Sequence, residues 1–205
     1  MPNSYQCNNT NRKTNEVRST KTDMKLPINS FVFTCFNANE KINNEVFEIW
    51  MRLLSKVDNS ILWLMRSNPY AEKNLKRNAS KLNIDISRIV FAKQCGIKDH
   101  MERYNFADLF LDTFNYNAHT TASDALLSGV PLITKIGSSF SARVSASLLS
   151  TLGVKDLITS SNEDYEELAL SLAKNPNLLK SFKDKINHGI KNSSLFDSRK
   201  FAKEL

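Results

Sequence analysis

The stretch from Asp108 to Thr134 leaves few folds open to the chain. An apolar run, Leu109 to Leu111, ends in a polar loop, and a helix then opens at the small hydroxyl residues Thr120, Thr121 and Ser123. Ala125 and Leu126 give that helix an apolar face, Gly129 closes it, and Pro131 leads into a second apolar run, Leu132 to Thr134. Strand, helix and strand in that order make one βαβ unit, which commits its neighbours to a parallel sheet.

In such a unit the carboxyl end of the first strand meets the amino end of the helix, where several backbone N–H groups lack partners. The spot suits an anion. Thr120 and Thr121 can add hydroxyl donors, His119 stands beside them, and Asp124 lies one turn along, placed to accept from a ribose hydroxyl. Phosphate at the helix end and sugar one turn further describe a nucleotide. The plainer alternative is that Thr120 or Thr121 caps the helix and Asp124 is a favourable first-turn acid, worth about 0.3–1 kcal/mol.

The same alternation runs through the chain. Phe31 to Phe36, Ser60 to Met65, Arg88 to Ala92 and Asp156 to Thr159 read as further strands. Helices are predicted over Asn44–Val57, Ala71–Leu82, Lys98–Asn105, Ala142–Leu152, Asn162–Lys174, Asn177–Lys191 and Asp197–Leu205. The chain therefore reads as α/β, a Rossmann-like doubly wound and mainly parallel sheet that binds ligands at the carboxyl ends of its strands. Loops converging there bring Lys41 after the first strand, and His100 and Arg103 three apart on the short helix after the third. Lys41 and Arg103 offer charge for a diphosphate and His100 a flat ring for a base; the ordinary reading of each is a solvated or structural side chain. The sequence has no defensible Ser/His/Asp set, metal-ligand cluster, Walker A loop or Gly-x-Gly-x-x-Gly, so no metal or cofactor is expected.

A formal charge of +7 raises the question of nucleic acid. Residues 1–30 carry +3 and residues 174–205 carry +5, so the segment between them sums to −1. No basic stripe crosses the domain, and the tails lack interleaved aromatics, which argues against nucleic acid. No apolar run approaches the ~20 residues of a membrane span, no export signal is evident, and Cys7, Cys35 and Cys95 form no pair pattern, so a cytoplasmic protein without membrane contact is expected. Residues 1–29, polar and aperiodic, read as disordered or loosely attached, with the domain at 30–205.

Phe36-Asn37 with Lys41, Ser60 to Arg66, Arg88 to Phe91, His100 to Arg103, Ala107 to Thr113, His119-Thr120-Thr121 with Asp124, Gly129 to Pro131 and Ala142 to Ser147 closely resemble the catalytic carboxyl-terminal region of the O-GlcNAc transferase family (glycosyltransferase family 41, SPINDLY-like proteins included). The resemblance runs in order from about Phe31 to Phe201. It implies the second, donor-binding lobe of a two-lobed GT-B glycosyltransferase. The implied donor is a nucleoside diphosphate sugar, UDP-GlcNAc in the first instance, and the implied acceptor a protein Ser or Thr hydroxyl. It further implies that Lys41 contacts the donor diphosphate and stabilises the departing charge, that Thr120 and Thr121 contact the phosphates with His119 adjacent, that His100 packs on the nucleobase, that Asp124 binds the ribose, and that Arg103 is a neighbouring basic position. Ala38 stands where the family's animal enzymes carry glutamine. Because nothing before Phe31 resembles the first lobe or its tetratricopeptide repeats, activity is expected to require a partner chain or region supplying them; the rival expectation is a non-catalytic nucleotide-sugar-binding module or degenerate fragment.

Overall fold

The apolar runs pair side by side into one sheet. In the computed structural model, which describes residues 4–8, 10–12 and 17–204, the strands are β1 (Phe31–Cys35), β2 (Ser60–Met65), β3 (Ile89–Ala92), β4 (Leu109–Leu111), β5 (Leu132–Lys135) and β6 (Ile158–Thr159). Their order is β3-β2-β1-β4-β5-β6, and every pairing is parallel. β1 aligns Phe31 with Ser60 and Cys35 with Leu64 on one side, and Phe33 with Leu109 on the other. Strands buried on both faces need continuous apolar side chains, which is why Val32, Phe33, Leu62, Leu64, Leu109, Phe110 and Leu111 are all buried.

The helices are α1 (Asn44–Lys56), α2 (Pro69–Lys81), α3 (Ile97–Arg103), α4 (Thr120–Leu127), α5 (Val144–Leu152), α6 (Asn162–Lys174), α7 (Pro176–Asn192) and α8 (Ser198–Lys203). Side chains of Asn43, Asn68, Ser161 and Asn175 accept from the third residue on and set the starts of α1, α2, α6 and α7. The strand order reverses direction between β1 and β4. Crossovers that are right-handed and run outward from such a point generally part the two carboxyl ends and leave a crevice between them. α6 returns over the sheet to pack on α1, β4 and β5. Its buried Tyr165 receives a hydrogen bond from Trp50 Nε1 (3.3 Å) and donates one to the Asp112 carbonyl (3.0 Å), fixing the end of β4.

Two glycines carry the sharpest backbone demands. Gly129 sits at φ +79° after α4; its N–H bonds the Leu126 carbonyl and that of Val130 the Ala125 carbonyl, a Schellman closure that ends the helix and returns the chain to β5. Gly189 lets α7 lie against the end of α5. A Cβ there would stand 2.9 Å from Leu152 Cγ and closer still to the Leu152 carbonyl oxygen. Gly189→Ala is therefore expected to destabilise by about 1–3 kcal/mol despite alanine's better helix propensity, and a denaturant midpoint at or above the parent's would refute the packing argument.

Most expected boundaries move by one or two residues, and two of the shifts have a clear cause. β6 keeps only its last two residues because Lys155–Leu157 forms a 3-10 turn. α5 begins at Val144, not Ala142, because the Ala142 carbonyl accepts from Gly137 N (2.8 Å) and closes the preceding loop. Leu205, in the last expected helix, lies outside the described residues, as do 1–3, 9 and 13–16 of the amino-terminal segment. The described part of that segment is mostly exposed but touches the domain at several points. Leu26 is buried, and Glu102 accepts from the backbone N–H groups of Arg18 (2.7 Å) and Ser19 (2.6 Å). These long-range bonds leave no periodic trace, so composition alone reads as loose chain. Among the described residues no helix is long and apolar enough to cross a membrane.

Candidate functional site

The loops after β1 and β4 meet at the crevice and are tied together by one buried carboxylate. Asp112, the residue after β4, accepts through Oδ1 from Thr113 N (2.8 Å), Ala118 N (2.6 Å) and Asn37 Nδ2 (3.3 Å), and through Oδ2 from Thr134 Oγ1 (2.8 Å). Burial raises its pKa to about 6 against the pull of these donors, which leaves it ionised at neutral pH. Asn37, fully buried after β1, also donates to Thr113 Oγ1 (2.8 Å) and accepts from Thr121 Oγ1 (2.6 Å). A single network thus fixes both loops and the start of α4.

Lys41 rises from a 3-10 turn (Asn39–Lys41) over the β4–α4 loop. Its ammonium donates to the Asn117 carbonyl (3.1 Å) and lies 3.8 Å from the Tyr116 ring centroid. Partial burial lowers its pKa, with Asp112 opposing the shift. On the other face of Tyr116 the His119 ring is stacked at 4.9 Å and 19°. His119 Nδ1 is 2.8 Å from Tyr5 Oη, while Nε2 is buried without a protein partner. Desolvation, then the charge of Lys41, holds this imidazole neutral by lowering its pKa.

α4 opens at His119 with no side-chain capping bond, so neither threonine acts as the cap. Thr120 is exposed at the helix mouth, whereas the Thr121 hydroxyl is committed to Asn37. The first-turn N–H groups of α4 are thus left without a side-chain cap, with Lys41, His119 and Thr120 near them. One turn along, Asp124 has a side chain only 4% exposed and pairs with Arg12 Nη2 at 2.8 Å. Burial raises its pKa to about 6 while Arg12 pulls it down.

His100 and Arg103 share a face of α3 but differ in surroundings. The His100 ring packs against Phe36 (5.7 Å) and Tyr104 (5.3 Å), and its Nε2 stands 3.8 Å from Asp124 Oδ2. Burial, then Arg103 and Arg12, lowers its pKa to about 4, so it is neutral and the approach to Asp124 is not an ion pair. With 13% of the side chain exposed, it offers an edge more than an open face. Arg103 is buried, its guanidinium bound to the Lys93 carbonyl (2.9 Å) and Cys95 Sγ and lying 5.4 Å from the Phe36 ring centroid. It shapes the 93–95 loop and does not face the start of α4.

The structure thus gathers Lys41, His119, Thr120 and Thr121 at one point and His100 with Asp124 beside it. Tyr104 Oη, donating to the Thr121 carbonyl (3.1 Å), links the two groups. Sequence reasoning passed over Asn37, Asp112, Tyr116, Asn117 and Arg12. A polar residue directly after each of two buried strands was the available signal for Asn37 and Asp112; Arg12 left none.

Against known proteins, the model of "Glycosyl transferase family 41" matches residues 3–205. A probable UDP-N-acetylglucosamine–peptide N-acetylglucosaminyltransferase, SEC, of Arabidopsis thaliana is 32% identical over all of this chain and 22% of its own length. The UDP-N-acetylglucosamine–peptide N-acetylglucosaminyltransferase of Caenorhabditis elegans is 31% identical over 91% of this chain and 16% of its own length. Among solved structures, a mutant O-GlcNAc transferase of Thermobaculum terrenum superposes with a TM-score of 0.77 at 26% identity, covering 84% of this chain and 35% of that one. Sucrose-phosphate synthase of Thermosynechococcus elongatus, at 13% identity and TM-score 0.69 over 96% of this chain and 50% of its own, shares the fold. The sheet is that of a GT-B glycosyltransferase lobe. This chain spans about a fifth of the length of the two curated relatives named. It belongs to glycosyl transferase family 41.

Proposed function

We propose, with that membership as premise, that residues 30–205 form the donor-binding lobe of a glycosyltransferase that takes a sugar from a nucleoside diphosphate and passes it to a protein Ser or Thr hydroxyl. The relatives' names point to UDP-N-acetylglucosamine as donor. The observation that carries the reading is the meeting, at the strand-order reversal, of the Lys41 ammonium, the uncapped start of α4 and the Asp124 carboxylate one turn inward. That is the spacing of a diphosphate and its ribose.

In the transfer, the acceptor oxygen forms a bond to the anomeric carbon as the bond to the diphosphate oxygen breaks on the opposite face, and the hydroxyl proton passes to a base or water on the acceptor side. The negative charge gathers on the leaving diphosphate, where Lys41 and the helix N–H groups already point. When the Tyr5 hydroxyl donates to His119 Nδ1, the proton sits on the buried Nε2, and the neutral ring serves as a wall stacked on Tyr116. Asp124 accepts from a ribose hydroxyl, and His100 closes the wall between ribose and base. The acceptor-side groups come from a first lobe, on this polypeptide or on a partner. A cytoplasmic setting fits a protein with three free cysteines.

The test is calorimetric titration of the chain with UDP, GDP and UDP-N-acetylglucosamine, repeated on Asp124→Ala and His100→Ala. Binding that prefers one nucleoside and drops by at least about tenfold in Asp124→Ala is expected. Because an ionised Asp124 is the stronger acceptor for a ribose hydroxyl, affinity should hold above neutral pH and decline as pH falls through about 6. A folded chain that binds none of the three would move the assignment to a degenerate module.

A further inference from the structure

The amino-terminal segment reaches the site from outside the strand loops. Tyr5 Oη meets His119 Nδ1, Asn8 Oδ1 accepts from Ser123 Oγ, and Arg12 Nη2 meets Asp124 Oδ2. Residues 119, 123 and 124 span about a turn and a half at the start of α4, so three side chains of this segment are tied to that end of the helix. The family match, which begins at residue 3, includes them.

Asp124 needs a counter-charge because it is nearly enclosed. The groups that face it are His100 Nε2 from α3, the Tyr104 hydroxyl that follows α3, and Arg12. His100 is neutral, and burial keeps Tyr104 protonated. Arg103 lies behind His100 with its guanidinium committed to the Lys93 carbonyl and Cys95. Among the described residues, Arg12 is thus the cation paired directly with Asp124. The need grows when a diphosphate arrives, since its charges repel a carboxylate one turn away and favour its protonation.

We infer that Arg12 is a positioning residue of the donor site, holding Asp124 as an oriented carboxylate while a ribose hydroxyl donates to it. An ionised carboxylate has about four acceptor positions, so a guanidinium on one oxygen leaves room for the ribose. At 35% exposure the Arg12 side chain can follow the carboxylate as the nucleotide enters. The inference rests on the reading of Asp124 as the ribose acceptor.

The experiment titrates the full chain with UDP from about pH 5.5 to about 8.5 in five forms: parent, Arg12→Ala, Arg12→Lys, Asp124→Asn and the Arg12→Ala/Asp124→Asn pair. Arg12→Ala is expected to weaken UDP binding by about tenfold at neutral pH. It should also move the acid decline to higher pH, because removing the cation lets the Asp124 pKa rise. Arg12→Lys should restore much of the affinity, and Arg12→Ala should add little once Asp124 is Asn. Equal or tighter UDP binding by Arg12→Ala, or an unmoved acid decline, overturns the inference; tighter binding would mean that the segment competes with the nucleotide. UDP binding that is lost in Asp124→Asn but kept in Arg12→Ala overturns this inference alone. A parent chain that binds no UDP overturns the donor-site reading with it.

Discussion

Replacing Lys41 with alanine is expected to leave the fold intact and to lower sugar transfer by about a hundredfold to a thousandfold in an enzyme containing this lobe. The ammonium is held by the Asn117 carbonyl and the Tyr116 ring face, so on the proposed reading it is in place before any donor arrives. Such a charge acts most where negative charge grows during reaction, and less on the bound ground state. Turnover should therefore fall by a larger factor than UDP affinity. Folding should change little, because one exchangeable hydrogen bond and one cation–π contact are worth about 1 kcal/mol each at a partly exposed position. Steady-state transfer to a peptide acceptor, with calorimetry for UDP, separates the two effects. A turnover equal to the parent's would remove Lys41 from the mechanism.

Asp112→Ala is expected to be the most destabilising change near the site, by about 3–5 kcal/mol, because it takes a shared acceptor from buried donors of both site loops at once. Thr113 N, Ala118 N and the Thr134 hydroxyl lose their acceptor, and Asn37 Nδ2 loses one of its two. Asp112→Asn should be far milder. Its amide oxygen can replace Oδ1, which takes the three N–H bonds, while its NH2 group donates to the Thr134 oxygen, whose hydroxyl can rotate. Denaturant melts of the two variants check this. If both lose similar stability, the negative charge and not the hydrogen-bond geometry holds the loops, and the network argument fails.

Legibility followed the range of the interactions involved. Alternating apolar runs and amphipathic stretches report burial within a few residues of chain, and they gave the sheet, the helices and the α4 start nearly as folded. The shortened β6 and the later start of α5 depend on a 3-10 turn and on the Gly137–Ala142 bond, closures that hydropathy does not register. The proximity of Lys41, His119, Thr120 and Asp124 was legible because strand-to-helix connections put them at carboxyl ends of strands. The separate fates of Thr121 and Arg103 were not. Thr121 turns to Asn37, 84 residues away, and Arg103 turns inward to the 93–95 loop.

By itself the sequence determined that the chain is α/β, and it led to the expectation of a ligand edge at the carboxyl ends of the strands with an anion at the start of α4, since each follows from local periodicity and chain connectivity. Only the tertiary structure decided that Asp112 binds both loops into one network, that Lys41 rests on Tyr116, and that Arg12 closes on Asp124. Those contacts join residues 75 or more positions apart. Their energies come from desolvated charges and hydrogen bonds whose partners no local pattern can name.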